Sequence, residues 1–434
     1  MSEARPTGGR RLIAVMSSAS LLQSAGAAAA GLWATIVLGA ESRGVMVIAV
    51  TTAGLVGLTA GLGTSAAYRA LLPTAGAEER RTLAVAYGTV SLLSAVGAAT
   101  ISIGILLLTS LGISDDLAEP TLLAAAAAAA FFQCLATQAN EGWWADGRFT
   151  RGSVLAAIGT VCGFVGVVVA GVVRESPAAM LTGQVVGEGS VVLVSVVLLH
   201  RARLFLVGRG VMAEARRLVR VGWPTLGGTV GAIVTFRADR YLIGVFVGPA
   251  AITVYSLAAT LSEVCRTVPH QLGQVLIRRI ATRDPSVVLR RTVVQAIVAT
   301  ALTGAVLGLV GWLAIPTVFD DELHDARTYL LLLLGAEVLF APYFIAARGL
   351  VGGGWTRATG VIGAAGCVLA VVSYLVLVPP FGLLGACLAS AGCYLALSLA
   401  TVVVLGHRLR DRPPVDQTAD RADPADPVVA PVTP

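Results

Sequence analysis

Twelve stretches of about twenty or more mostly apolar residues run through this chain of 434 residues, from Leu12 to about Leu405. Each stretch is long enough to cross the hydrocarbon core of a bilayer, about 30 Å thick, as an α-helix. Hydrophobic residues make up 56% of the chain and charged residues only 13%, so a soluble globule would have too little polar surface to cover itself. The pattern therefore predicts an all-α polytopic membrane protein. The predicted spans are 12–38, 44–68, 82–108, 121–140, 152–173, 178–200, 219–247, 250–277, 292–315, 328–347, 356–377 and 382–405.

The placement of the basic residues predicts how the spans are oriented. All 31 basic residues are arginines, and with the N-terminus inside, 25 of them fall in cytoplasmic segments and 3 on the opposite side. Cytoplasmic loops of membrane proteins carry the excess of positive charge. We therefore expect both termini to be cytoplasmic, and we attribute the net charge of +6 to this topology rather than to nucleic-acid binding. The three outer arginines are Arg43, Arg174 and Arg327.

The two halves of the chain repeat each other at a spacing of 206 to 210 residues. Short matches keep the same order, and six spans per copy put both copies into the membrane the same way round. We therefore expect two six-helix lobes related by a pseudo-twofold axis along the membrane normal, with a cavity between them. The matches are Arg10-Arg11-Leu12 with Arg216-Arg217-Leu218, Leu38-Gly39 with Val247-Gly248, Arg69 with Arg278, Arg80-Arg81-Thr82 with Arg290-Arg291-Thr292, and Gly147-Arg148-Phe149-Thr150-Arg151 with Gly353-Gly354-Trp355-Thr356-Arg357.

These features divide the chain into five segments. Residues 1–11 are predicted as a cytoplasmic N-terminus, 12–200 as the first lobe, 201–218 as a cytoplasmic linker, 219–405 as the second lobe and 406–434 as a cytoplasmic tail. The tail is rich in Pro and Asp and has too few apolar residues to fold, so we expect it to be disordered. The linker has apolar residues among its arginines and fits either an amphipathic helix in the membrane interface or a solvated connection.

Charged side chains inside the spans are concentrated in the second lobe. An ionisable residue in a span costs about 2.5 to 3.5 kcal/mol on insertion scales, so it needs a partner or a wet cavity. Arg237 and Arg240 are three residues apart and share a helix face near the middle of span 7, whereas Asp239 points away from Arg237. Span 8 adds Glu263 and Arg266. The positions that match them in the first lobe carry no charge, so these residues are not part of the duplicated scaffold.

Two interpretations of this charged cluster stay open. Arg237 and Arg240 fit either contacts with an anionic substrate in the cavity or structural ion pairs with Asp239 or Glu263. Glu263 also fits a coupling site for a proton or another cation.

A few other polar residues and breaks lie within the spans. Gln23 stands in a stretch of small residues in span 1, which would line a wide cavity or allow close helix packing. For the lone acids Glu188 and Glu337 we expect satisfied structural roles rather than proton relays. Pro224 and Pro269 fit bending points near the cytoplasmic ends of spans 7 and 8, and Pro224 fits a tolerated helix-entry proline equally well. The six cysteines show no CxxC spacing, and no metal or cofactor is expected.

Four motifs in a fixed order resemble those of the polysaccharide flippases of the multidrug/oligosaccharidyl-lipid/polysaccharide exporter superfamily. They are LGAESRGVMVIAV between spans 1 and 2, RRLVRVGWPTLGG opening span 7, RADRYLIGVFVGPAAITVYSLAATL across spans 7 and 8, and PPFGLLGACLASAGCYLA entering span 12. The resemblance covers residues 10–405. It implies two six-helix lobes in a V, alternating access, a bacterial plasma membrane, and export of an undecaprenyl-diphosphate-linked oligosaccharide through a cavity often lined with basic residues.

This resemblance implies substrate contacts for Arg237, Arg240 and Arg266. The chain also departs from two branches of the superfamily. Twelve spans lack the two extra C-terminal helices of lipid II flippases, and span 1 lacks the acid with which drug antiporters of this fold bind their coupling ion.

The leading hypothesis for function is a transporter that moves a lipid-linked glycan from the cytoplasmic to the outer leaflet. Arginines suit this role because a diphosphate accepts charge-assisted, often bidentate hydrogen bonds. The alternatives are a cation-coupled multidrug exporter of the same fold and, from another class, a membrane glycosyltransferase or glycan ligase, for which the outer loops are short. A major facilitator would carry a glycine- and acid-containing signature between spans 2 and 3, which the segment YRALLPTAGAEERRTL lacks. Besides the glycan and membrane lipids, the expected partners are H+ or Na+ as coupling ion and a glycan polymerase or glycosyltransferases.

Overall fold

A computed structural model describes residues 7–270, 272–273 and 285–410 of the chain. This part of the chain is built from helices joined by short loops and contains no strand. The helices are α1 (Thr7–Thr59), α2 (Thr64–Leu71), α3 (Ala77–Ser110), α4 (Pro120–Ala145), α5 (Phe149–Val173), α6 (Pro177–Arg201), α7 (Met212–Phe246), α8 (Pro249–Glu263), α9 (Pro285–Val318), α10 (Ala326–Gly352) and α11 (Thr356–Arg410). The predicted all-α fold is confirmed.

Length and composition mark eight helical stretches of the described chain as able to cross a membrane. Two of them, Ser18–Thr74 and Arg357–Arg410, have 57 and 54 residues. A straight helix of that length would measure about 80 Å, far more than one bilayer crossing needs. Helices α7 and α8 are not among the eight, and α8 has only 15 residues. The number of twelve spans therefore stays a prediction.

Glycines with left-handed backbone break the two long helices. Gly39 has φ 70° and ψ −176° inside α1, and Gly382 has φ 55° inside α11. Gly248, which connects α7 to α8, has φ 114°. A side chain strains such a backbone, so glycine is the residue of choice there. Gly39 and Gly248 are also partners in the sequence repeat, and the two halves thus share a turn at the same repeat position.

The predicted second span ends earlier than its apolar pattern suggests. Helix α1 ends at Thr59, and the short α2 begins at Thr64 after a turn that contains Gly63 with φ 73°. The predicted breaks at the two prolines have different outcomes. Helix α7 runs through position 224, whereas the chain tightens into a 3₁₀ turn at Val264–Arg266, ahead of Pro269.

The helices of each half pack mainly on one another, and the halves meet through contacts of α1, α2 and α3 with α7 and α8. Helix α1 packs on α4 and α5, and α5 on α6; in the second half α7 packs on α11, and α10 on α9 and α11. Across the halves, α1 contacts α8 and α7. A Cβ atom at Gly44 would lie 2.0 Å from the Pro249 carbonyl oxygen, and the Thr253 hydroxyl donates to the Ala40 carbonyl. The halves are therefore in backbone contact where the bend of α1 meets the turn between α7 and α8.

The linker consists of a loop followed by the start of a helix. Residues 202–211 form an irregular loop, and α7 begins at Met212, within the predicted linker. Leu204 and Phe205 are buried, and the Tyr68 hydroxyl donates to the Leu204 carbonyl at 2.8 Å. Leu204 and Phe205 thus pack into the protein core, whereas Val207 and Met212 are exposed. The predicted tail lies outside the described residues from position 411 onward.

Candidate substrate cavity

A cavity of about 670 Å³ lies between the two halves. Its wall on one side comes from α1, α4, α5 and α6, and on the other from α7, α8 and the 3₁₀ turn that follows. Many lining residues are small, and Gln23 is among the lining residues. Among the described residues, the ionisable lining residues are four arginines and two glutamates, namely Arg43, Arg237, Arg240, Arg266, Glu188 and Glu263.

One carboxylate lies among three of these guanidinium groups. Arg237 pairs with both oxygens of Glu263, through Nη1 to Oε1 at 3.2 Å and Nη2 to Oε2 at 3.4 Å. The same Oε1 lies 3.6 Å from Arg240 Nη2 and 3.8 Å from Arg266 Nη1. The spacing of Arg237 and Arg240 on α7 thus brings both side chains to a single acid on α8, across the turn at Gly248. Of these three arginines, Arg237 and Arg240 have no other acid as an ion-pair partner within the described residues.

The guanidinium of Arg266 is bound by two residues that do not line the cavity, Glu337 and Tyr394. Glu337 on α10 accepts from Arg266 Nη2 at 2.6 Å and from Nε at 2.9 Å, and the Tyr394 hydroxyl accepts from Nη2 at 2.8 Å. The ring of Phe236 lies 4.8 Å from the guanidinium carbon, which allows a cation–π contact. Glu337 is buried and fully paired. Arg266 therefore joins α8 to α10 and α11, although it was predicted only as a substrate contact.

Asp239 does not occupy the cavity. It is buried, and its carboxylate accepts the backbone N–H of Arg240 at 2.8 Å. It forms no ion pair with the arginines of the described chain. Of the two acids predicted as partners for the arginines, Glu263 is the one in contact.

The remaining acid in the cavity wall is Glu188 of α6. It accepts a hydrogen bond from Gln184 at 3.1 Å and lies against Gly163, where a Cβ atom would be 2.5 Å from its Cγ. It forms no ion pair within the described residues. The two lone acids of the sequence analysis thus differ: Glu337 is paired with an arginine, and Glu188 only with an amide.

Arg43 is a cavity residue that the sequence analysis missed. It was counted with the outer loops, yet it lines the cavity, and its Nη2 lies 3.4 Å from the position of a Cβ on Gly31. Gly31 is eight residues before the bend at Gly39, which corresponds to a depth of about 12 Å along the helix. A long side chain near a span end can reach that far. The position of Arg43 at the start of span 2 was therefore the one feature of the sequence that indicated a place in the cavity.

Solved structures define the class of fold. The chain is similar to "Lipid II flippase MurJ, inward closed conformation" with a TM-score of 0.74 and 12% identity, covering 90% of this chain and 87% of that chain. It is similar to an inward-facing multidrug resistance MATE family transporter of the MOP superfamily (TM-score 0.64, 16% identity, 89% and 94% covered). It is also similar to a mutant of the MATE transporter VcmN from Vibrio cholerae (TM-score 0.62, 13% identity, 93% and 97% covered). The chain thus has the fold of these membrane transporters and flippases.

The family of the chain follows from its sequence. A family model described as "Polysaccharide biosynthesis protein" matches residues 37–307, more than half of the chain. The protein belongs to this polysaccharide biosynthesis family, and it has the fold of membrane transporters and flippases. Comparison with curated proteins gives no match.

Proposed function

We propose that this protein moves an oligosaccharide or polysaccharide precursor, carried on undecaprenyl diphosphate, across a bacterial plasma membrane by alternating access. The observation that carries the proposal is the cavity between the halves, in which four arginines stand against two glutamates. A diphosphate that joins a lipid to a glycan is a dianion with several acceptor oxygens, and guanidinium groups bind such oxygens in pairs. The family description supports a substrate from polysaccharide biosynthesis.

A cation-coupled drug exporter is the second candidate, because MATE transporters share this fold. The charge of the cavity separates the two functions. Cationic drugs are repelled by a wall with an excess of arginines, whereas an anionic lipid head group is attracted to it. The chemistry of the site therefore favours the glycan carrier.

The orientation and the partners are part of the proposal. The arginine count supports cytoplasmic termini, and an impermeant thiol reagent applied to intact cells tests this with single cysteines at Asp115, Asp320 and Arg209. Labelling at position 209 but not at 115 and 320 would reject the orientation.

H+ or Na+ as the coupling ion, and a glycan polymerase or glycosyltransferases beside the transporter, complete the proposed function.

Paired substitutions in cells that depend on this chain for glycan export test the function. Arg237→Gln and Arg240→Gln are each measured alone and with Glu263→Gln or Asp239→Asn, with Arg174→Gln in an exposed loop as the control. We expect loss of export at normal membrane abundance for the first two, without rescue by the second change. Rescue by the double substitution would leave only an ion pair between α7 and α8. Unchanged export with lost efflux of ethidium would favour the drug exporter.

A further inference from the structure

The two walls of the cavity differ in the kind of polar side chain that they carry. Among the described residues that line the cavity, four amides belong to the first half and none to the second. An arginine only donates hydrogen bonds and an ionised carboxylate only accepts them, whereas an amide does both. The first-half wall is therefore suited to a different part of a substrate from the part that the arginines attract. The four amides are Gln23, Gln133, Asn140 and Gln184.

Three of these amides have no hydrogen-bond partner in the protein. Gln184 donates to Glu188 at 3.1 Å. The side chains of Gln23, Gln133 and Asn140 form no hydrogen bond within the described residues, and Oδ1 of Asn140 is buried without a partner. All three side chains are half-buried and line the cavity. A polar group that has lost part of its water without gaining a partner costs free energy, and a ligand with donors and acceptors can recover it.

The two unpaired amides of α4 lie on one face of the helix. Gln133 and Asn140 are seven residues apart, which is two turns and about 10 Å along the axis. Asn140 is level with Gly152 near the start of α5, because a Cβ atom on Gly152 would lie 2.6 Å from its Oδ1. The two amides thus follow the cavity lengthwise from the connection between α4 and α5.

Contacts between α1 and α5 give the position of Gln23. A Cβ atom on Gly26 would lie 2.9 Å from Cγ2 of Thr160, and a Cβ atom on Gly171 would lie 3.1 Å from Nε1 of Trp33. The first part of α1 therefore runs parallel to α5. Gln23 is about one turn before Gly26, toward the side where α5 begins. It lies in the same part of the cavity as the two amides of α4.

Sugars have the chemistry that suits these three amides. A hydroxyl group both donates and accepts hydrogen bonds, and an amide side chain offers two N–H donors and a carbonyl acceptor. One amide can therefore bind two neighbouring hydroxyls or an acetamido group. Glu188 lies in the same wall without an ion pair in the described chain, and its carboxylate would repel an acidic sugar. The wall thus favours uncharged sugars.

We propose that Gln23, Gln133 and Asn140 form a glycan-binding surface, which recognises uncharged sugars of the lipid-linked substrate through their hydroxyl and acetamido groups. The proposal rests on the proposed function and extends it from the anionic lipid to the sugars. The distance of about 10 Å between the two amides of α4 exceeds the length of one sugar ring, so the surface contacts more than one sugar unit. Selection among glycans then depends on the first-half wall.

Binding of two lipids to the purified full chain in phosphatidylcholine nanodiscs tests this surface. One probe is the lipid-linked glycan extracted from cells in which this chain is deleted, and the other is undecaprenyl diphosphate without sugar. Gln133→Met and Asn140→Leu each remove an amide and keep a side chain of similar size. Gln295→Met makes the same change at an exposed position of α9 that does not line the cavity, and it serves as the control. Thermal unfolding establishes that each variant is folded.

We expect the wild type to bind the lipid-linked glycan more tightly than undecaprenyl diphosphate. Gln133→Met and Asn140→Leu should each weaken binding of the lipid-linked glycan about fivefold or more, because hydrogen bonds to the sugars are lost. Both should leave binding of undecaprenyl diphosphate unchanged. Gln295→Met should bind both lipids as the wild type does. If one of the two test variants does not fold, the other decides.

The outcomes separate this proposal from the proposed function. Equal binding of the two lipids by the wild type, or wild-type binding of the lipid-linked glycan by both test variants, would mean that the amides are only hydrated. Weaker binding of both lipids to the same extent would show a loss that is not directed at the sugar. Each of these results rejects the glycan-binding surface and leaves the proposed function standing. A wild-type chain that binds neither lipid rejects both.

Discussion

The two walls of the cavity share a backbone plan but differ in their side chains. Gly39 and Gly248 make the same left-handed turn at matching positions of the repeat. The second-half wall then carries Glu263 and Arg266 in a network of ion pairs, whereas the first-half residues that match them are Gly54 and Gly57. The duplicated backbone places the helices, and the side chains make the cavity asymmetric.

The difference shows where space and charge in the cavity come from. A Cβ atom at Gly54 would meet nothing within 4 Å, so the first-half wall leaves room beside it. In the second-half wall, Arg266 is paired with Glu337 and packed on aromatic rings. We infer that one wall provides the space for a substrate and the other provides a fixed pattern of charge.

Removing Glu337, the acid that binds Arg266, should lower the stability of the protein most. In Glu337→Gln the buried Arg266 loses its carboxylate, and breaking a buried pair costs about 3–5 kcal/mol. We expect a clear drop in the thermal unfolding midpoint in detergent. Glu263→Gln is the matched control, because this acid has a side chain 24% exposed and should cost less. Replacing both partners, as Arg266→Met with Glu337→Leu, should recover much of the loss; equal midpoints for Glu337→Gln and the control would contradict the anchor role.

Adding a side chain where the two halves touch should lower the stability of the protein by an intermediate amount. In Gly44→Ala the added Cβ would lie 2.0 Å from the Pro249 carbonyl oxygen, so the backbones must separate. Such overpacking costs about 1–3 kcal/mol. Gly54→Ala, in the same part of α1 and facing open space, should be neutral or slightly stabilising, because Ala favours a helix by about 1 kcal/mol over Gly. The thermal unfolding midpoints of the two variants are compared. A greater fall of the midpoint in Gly54→Ala than in Gly44→Ala would mean that the described contact does not hold the halves together.

Neutralising Glu188, the acid of the first-half wall, should change export least. Glu188 has an amide partner and no ion pair in the described chain, and glutamine keeps its shape and its hydrogen bond to Gln184. We expect export by Glu188→Gln to stay within about twofold of wild type across pH, as for substitutions that disturb no buried network. Export measured between pH 6 and pH 8 is the check. Lost export together with a lost response to pH would instead identify Glu188 as a proton-coupling site.

Much of the fold was predictable because it depends on local patterns. Apolar length predicts helices, and the matching Leu38-Gly39 and Val247-Gly248 pairs indicated two equivalent turns before their backbone angles were known. The burial of Leu204 and Phe205 in the linker was not predictable, since apolar residues look the same in sequence whether they face lipid or the core. The end of α1 at Thr59 was missed because its neighbours remain apolar.

The sequence by itself determined that this is a helical membrane protein with duplicated halves and a charged cluster in the second. It did so because bilayer thickness and helix geometry act on consecutive residues, whatever the rest of the chain does. Only the tertiary structure decided which charges meet: Glu263 lies among three arginines, Arg266 is taken by Glu337, and Arg43 reaches in from the other half. Those pairings depend on helix packing and on side chains several ångströms long, which bring together residues far apart in the chain.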